Sequence, residues 1–219
     1  MKEFVVTTET AGYMSAITGM RFPTKSRGDS VMVNSEFILG EKDKKLAHLL
    51  LNKTETVDGS DIFQGDTHGK FQRGIMAWLH INMPIFMWAE IDTYTVGTSP
   101  ISSESTMYTL KKEIRNNTTV EEFYEFFSDS TSINTVSNYL SDVQDAIQLT
   151  DTKDLSKVDL TMLKADLPSG WLQARMRCFS YQSLRRLYIQ RKNHRLPQWQ
   201  HFIKAIEELP YFDELIMGR

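Results

Sequence analysis

The chain has 219 residues, 41% of them hydrophobic and 24% charged, with a formal net charge of −3. That balance belongs to a globular chain long enough for a sizeable core, and it excludes a bulk basic field that would draw nucleic acid or anionic lipid. The single cysteine, Cys178, excludes an intramolecular disulfide and a cysteine-based zinc site.

The N-terminal MKEFVVTTETAGYM lacks the apolar core of a signal peptide, and no run approaches the roughly 18 apolar residues of a membrane span. The expectation is a soluble, cytoplasmic protein with no membrane partner. ETAGYMSAITGMRF suggests a short helix with Ala11, Met14 and Ile17 on one side. DKKLAHLLLNK, Asp43 to Lys53, reads as a helix with Leu46, Leu49 and Leu50 as its apolar stripe. Residues 54–70 are polar and rich in Gly and Asp, which marks a loop. In the stretch that follows, Leu79, Ile81 and Met83 alternate with Trp78, His80 and Asn82, the period of a strand. Pro84 suits the first turn of a helix carrying Ile85, Trp88, Ala89 and Asp92. Beyond it, half of the residues from Thr93 to Tyr108 are Ser or Thr, a hydroxyl-rich loop.

Downstream the pattern is helical. Thr119 and Glu122 have capping-box spacing, with Phe123, Tyr124 and Phe127 behind them. After an SDSTS turn, Ile133, Val136, Leu140, Val143 and Ile147 form an amphipathic face. Residues 150–166 are charged and ambiguous. From about Leu172 the spacing predicts one helix to about Arg191. A last helix, Pro197 to Glu208, turns Trp199, Phe202, Ile203 and Ile206 inward, and Pro210 stops it. The fold class expected is α+β: one helix-rich domain over residues 1–219, with a small sheet flanked by helices.

Arg191 continues the stripe of Leu184, Leu187 and Tyr188. A guanidinium there needs an acidic or phosphate partner, or an exit to water at the helix end. His68, in GDTHGKFQ, is a loop histidine with either a solvated or a functional role. His80 reads as a structural histidine on a strand face, and His48, His194 and His201 have no metal spacing. No zinc-protease, P-loop, dinucleotide-binding, serine-hydrolase or EF-hand pattern occurs. The run TVGTSPISSESTMY offers hydroxyls and a glycine to a phosphate or a polar ring, yet from Met83 to Leu110 there is neither Lys nor Arg. RRLYIQRKNHR is basic with one aromatic, and an exposed helix end explains it as well as nucleic-acid contact does.

These residues have an order that resembles the flavin-dependent thymidylate synthases. KLAHLLL, then His68, then the strand into PIF, follow the family's helix, histidine and strand. The spacing from His68 to Pro84 is the same. The family then carries R-H-R and, after a gap, S-x-N-E-x-S-x-R-Y. Counted from PIF, R-H-R falls on Thr93, Tyr94 and Thr95. Ser105 and Tyr108 match the end of the second signature, with Met107 where arginine stands. LPSGWLQARMRCFSYQSLRRLYIQRKNHRLPQW resembles the family's last segment. Arg191 falls on the arginine that contacts and activates the pyrimidine ring, Lys164 near an arginine on the nucleotide phosphate, and Ser180 where an asparagine often touches the flavin.

The resemblance implies one-carbon transfer from methylenetetrahydrofolate to a pyrimidine deoxynucleotide, dUMP, with reduced FAD, in a homotetramer whose sites lie between subunits. Arg191 would be the catalytic residue. His68, Thr93, Tyr94, Thr95 and Ser180 would face the cofactor, and Ser105, Tyr108 and Lys164 the substrate. No metal is implied. The departures have a physical cost. Thr-Tyr-Thr offers hydrogen bonds where the family places positive charge on the FAD phosphates. At about 1.5–3 kcal/mol per charge-assisted bond, losing two arginines costs several powers of ten in affinity. Two alternatives follow: a divergent nucleotide-binding or oligomeric scaffold protein without catalysis, and a pyrimidine-nucleotide-modifying enzyme with an altered cofactor.

Overall fold

The computed structural model describes residues 2–57, 60–63, 65–116, 119–150 and 154–219. Strand β1 (Phe4–Ala11) leads directly into helix α1 (Tyr13–Arg21). Ala11 therefore ends a strand instead of lying on the helix face expected for it, and α1 buries Tyr13, Ala16, Ile17 and Met20. Gly12 makes the corner with φ of 94°, where a Cβ would also run into the Gly74 carbonyl. A hairpin follows, β2 (Val31–Val33) against β3 (Glu36–Ile38), turning through Asn34 and Ser35, both at positive φ.

Helix α2 (Glu41–Leu51) is present as expected, but its buried face is Asp43, Ala47 and Leu51, and Leu49 is exposed. The leucine stripe misleads because the interior accepts a carboxylate at Asp43, whose partners are described below. The loop expected over 54–70 holds strands β4 (Thr54–Val57) and β5 (Ser60–Phe63), antiparallel with Thr54 opposite Phe63, and a one-turn helix α3 (Gly65–His68). Such polar strands lack the alternation that marks a half-buried one. Residues 58, 59 and 64 of that expectation lie outside the described residues.

Strand β6 (Met76–Pro84) buries Ala77, Leu79, Ile81 and Met83 while Trp78, His80 and Asn82 are half-buried, as the period of two implies. Pro84 caps α4 (Ile85–Ile91), which buries Met87, Trp88 and Ile91; Ala89 and Asp92 are exposed. The hydroxyl-rich run contains a strand, β7 (Thr98–Ser103), before α5 (Thr106–Asn116). The capping box forms at the start of α6 (Val120–Tyr124). Helix α7 (Ile133–Gln148) buries Val136, Tyr139, Leu140 and Val143, while Ile133, the start of the expected face, is exposed in the first turn; α8 (Leu160–Ala165) is capped by Asp159.

The largest correction lies at residues 172–180. They form strand β8 (Leu172–Ser180), and only Tyr181–Arg191 are helical, as α9. LQARMR is built from good helix formers, and pairing with distant strands overrides that local preference. Helix α10 (Gln198–Glu207) turns Trp199, Phe202, Ile203 and Ile206 inward as expected, and a π-helical turn, Phe212–Met217, ends the chain. The strand order β1-β6-β8-β7 gives one small antiparallel sheet in a helix-rich α+β chain, alongside the two hairpins.

The chain divides into two compact units. The first contains Met1–Phe4, Ile81–Thr93 and Ile101–Met176. Its core gathers Leu110, Phe123, Phe127, Val136, Leu140 and Leu163 around Trp171, whose ring lies 5.4 Å from Phe127 and 5.8 Å from Phe126. The first amides of α4, orphaned by helix geometry, donate to the Trp171 and Ser169 carbonyls at 3.0 Å.

The second unit contains Val5–His80, Tyr94–Pro100 and Arg177–Arg219. Two of its buried polar side chains donate to backbone carbonyls. Gln72 donates to the carbonyls of Leu215 and Ile216, and the buried Arg185 donates to Ile216, Met217 and Leu51, so the π-helical turn is anchored from two sides. The Asp43 carboxylate, fully buried, accepts from Arg21 Nε at 2.6 Å and from Asp29 N, Ser30 N and Ser30 Oγ at 2.7–3.0 Å. Burial alone would push its pKa up; the hydrogen bonds from Ser30, Arg21 and Asp29 outweigh that and hold it below the usual carboxylate range. Among the described residues no helix is long and apolar enough to cross a membrane.

Candidate functional site

The site is built at the two ends of α9. At its start, the Ser180 hydroxyl accepts from Ser183 N at 3.2 Å, an N-cap, while Ser180 N donates to the Gly97 carbonyl at 2.7 Å. Gly97 has φ of 75°, and a side chain there would meet the Ser180 hydroxyl, so this position takes glycine for both reasons. Along the helix Leu184, Leu187 and Tyr188 are buried, which brings Arg191 to the surface half-buried at the last turn.

Arg191 Nε donates to the Tyr94 hydroxyl at 2.7 Å, and that hydroxyl donates to Gln190 Oε1 at 3.0 Å. The phenol thus uses its acceptor and its donor on two adjacent residues of α9. The guanidinium lies 4.8 Å from the ring centroid of the buried Trp199 and 5.7 Å from that of Tyr94, and the two rings meet edge to face at 5.9 Å. An arginine held between aromatic faces is a cation with a fixed direction, suited to a carbonyl-bearing ring or an anion.

The other residues singled out in the sequence are distributed as follows. Thr93 Oγ1 donates to the Glu90 carbonyl at 2.7 Å, and Thr95 is exposed. Ser105 precedes α5, and its carbonyl accepts from Tyr108 N and Thr109 N; the Tyr108 side chain is 78% exposed. Lys164 is exposed on α8. Thr93, Ser105, Tyr108 and Lys164 belong to the first unit, and His68, Tyr94, Thr95, Ser180 and Arg191 to the second. Within the second unit the structure joins Tyr94 to Arg191, and Ser180 to the loop that carries Tyr94. His68 is half-buried and lines a different cavity of about 550 Å³ with Lys70, Phe71 and Leu50, which touches none of Tyr94, Ser180 or Arg191.

Sequence reasoning passed over Gln190 and took Gly97 only as part of a ligand-facing run, not as the residue whose carbonyl holds Ser180 N. No spacing rule marks Gln190, whereas a glycine inside a hydroxyl run was a visible signal. Trp199 was assigned only to the core, and its face toward Arg191 is the second wall of the site.

Thr93, Tyr94 and Thr95, the positions on which the sequence resemblance puts R-H-R, do not fit the diphosphate of a flavin dinucleotide. The Thr93 hydroxyl is spent on a helix carbonyl, the Tyr94 hydroxyl on Gln190 and Arg191, and no Lys or Arg lies between residues 84 and 110.

No protein-family model and no curated protein matches the sequence of this chain. Solved structures do match its fold. Thymidylate synthase X (ThyX) from Helicobacter pylori, solved with FAD and dUMP, superposes with a TM-score of 0.69 at 17% identity, covering 98% of this chain and 96% of its own. A second structure of flavin dependent thymidylate synthase ThyX from Helicobacter pylori, complexed with FAD and dUMP, gives 0.69 and 17% over 97% of each chain. The chain has a ThyX-like fold over nearly its whole length.

Proposed function

We propose that this protein binds a pyrimidine deoxynucleotide of the dUMP class on a ThyX-like scaffold, and that it does so without a flavin diphosphate at Thr93, Tyr94 and Thr95. The observation that carries the reading is the Tyr94–Arg191 pair. Arg191 is the arginine that the resemblance puts on the pyrimidine ring, and here its Nε is fixed by a phenol standing where the family has a histidine between two arginines. Arg191 orients the base by donating to a ring carbonyl oxygen. Trp199 and Tyr94 give it aromatic walls that exclude water and strengthen that bond. Ser105, Tyr108 and Lys164 hold the phosphate, in a site completed by a second copy of the chain in a homo-oligomer. Methylenetetrahydrofolate is the folate that the resemblance implies, with His68 as its contact.

The second reading is the complete reaction of the family, one-carbon transfer from methylenetetrahydrofolate to dUMP with reduced FAD. The fold correspondence with two structures of Helicobacter pylori ThyX, both solved with FAD and dUMP, favours it. The two readings separate on the purified protein by its absorbance in the flavin bands, followed by calorimetric titration with dUMP and then with FAD. Saturable dUMP binding by a colourless protein that ignores FAD is the expected result. Bound flavin together with dUMP binding replaces the first reading with the second. Absence of dUMP binding removes both, and unchanged dUMP affinity in Arg191→Ala removes the role given to that arginine.

A further inference from the structure

A second cavity, of about 570 Å³, opens beside the C-terminal end of α1 and contains none of the site residues discussed above. Its lining divides by chemistry. Met14, Ile17 and Phe22 are apolar, and Phe22 is 72% exposed. Arg21, Lys25 and Arg27 supply positive charge.

The loop that carries these cations is built, not slack. Lys25 sits in the left-handed region with φ of 50°, its amide donating to the Phe22 carbonyl, and the Thr24 hydroxyl donates to the Arg21 carbonyl. These bonds occupy carbonyls at the negative end of α1 that would otherwise repel an anion. Further on, Gly28 passes so near the Asp43 carboxylate that a Cβ would lie 2.7 Å from it.

Charge is sorted across this loop. Asp43 is saturated by four donors. Asp29 turns the other way and accepts from Lys42 N and Asp43 N at 3.0–3.2 Å, where it meets the positive end of α2. Both acids of the neighbourhood are therefore consumed inside the fold. Arg21 is neutralised by Asp43 and braced by Ser26 Oγ at 3.2 Å. Lys25 and Arg27 have no acidic partner among the described residues. A cavity with two uncompensated cations and an exposed aromatic ring is complementary to an anion with a flat apolar part.

We propose that this cavity binds a phosphorylated small molecule, its phosphate between Lys25 and Arg27 and its organic part on Phe22 and Met14. The reading is independent of the nucleotide site at Arg191. Calorimetric titration of the full chain with phenyl phosphate and with inorganic phosphate tests it. Phenyl phosphate binds saturably and several-fold more tightly than inorganic phosphate. The Lys25→Ala/Arg27→Ala variant loses at least about tenfold in affinity for both, the scale of one charge-assisted hydrogen bond. Phe22→Ala abolishes the preference for the phenyl ester, and Arg191→Ala leaves both affinities unchanged. No saturable binding, binding indifferent to the double substitution, or binding lost with Arg191 instead would each overturn the assignment.

Discussion

Replacing Asp43 by alanine tests the central polar cluster of the second unit. The substitution removes the counter-ion of Arg21, whose side chain is only 12% exposed, and the acceptor of Asp29 N, Ser30 N and Ser30 Oγ. Breaking one side of a buried ion pair costs about 3–5 kcal/mol, because the remaining charge stays desolvated. Residues 25–29 are exposed, so water can re-solvate the loop amides, and the low end, about 3 kcal/mol, is expected. Against a total stability of roughly 5–15 kcal/mol that is a large fraction. Urea unfolding should show a lower midpoint at unchanged slope. A loss under about 1 kcal/mol would refute the claim that this cluster is a structural hub.

The same residue sets an acid limb. The folded-state pKa of Asp43 lies below its ordinary value of 3.8. Its contribution is therefore complete above that value and is lost as pH falls through the folded-state pKa. In Asp43→Asn, which cannot titrate, the stability gap from the parent protein should narrow below about pH 4.

Other expectations follow from single contacts. Trp171→Ala, at the hub of the first unit, should cost about 3–5 kcal/mol by urea unfolding, and a cost near zero would show that the aromatic cluster repacks. Cys178 is 5% exposed and its thiol pKa is raised by burial, so a thiol reagent should label the native protein far more slowly than the unfolded one at pH 8, with equal rates counting against burial. Tyr94→Phe keeps the ring against Trp199 but removes the acceptor of Arg191 Nε, and dUMP affinity should fall by about tenfold or more. Thr93→Ala, which removes a hydroxyl that donates to the Glu90 carbonyl, should leave that affinity unchanged, and equal effects of the two substitutions would break the assignment.

What could be read from the sequence was what is local. The 3-4 stepping of α7, the capping box at Thr119, the alternation in β6 and the inward face of α10 each depend on neighbours within a few residues, and all four are present. Strand β8 was invisible because its own residues favour a helix and only pairing across the sheet makes it a strand. The shifted face of α2 has the same origin: Asp43 is inside because Arg21 and the loop at 29–30 need it. The stripe of α9 put Arg191 at the helix end, where it is half-buried beside Tyr94. Its pairing with Tyr94, 97 residues away, leaves no trace in spacing, since neither residue type requires the other.

The loop carrying Tyr94 is fastened at several points: the phenol to Gln190 and Arg191, the Thr98 hydroxyl to the Tyr94 carbonyl at 2.6 Å, and the Gly97 carbonyl to Ser180 N. Its shape is thus settled when the chain folds. A ligand arriving at Arg191 meets a finished surface and has little backbone to order, so its binding entropy is spared that cost and its association rate need not wait on a closing segment. The same fastening narrows what the surface accepts. A ligand that required Tyr94 to swing away would have to break two hydrogen bonds and an aromatic contact first, and selectivity on this face is exercised by refusal to deform.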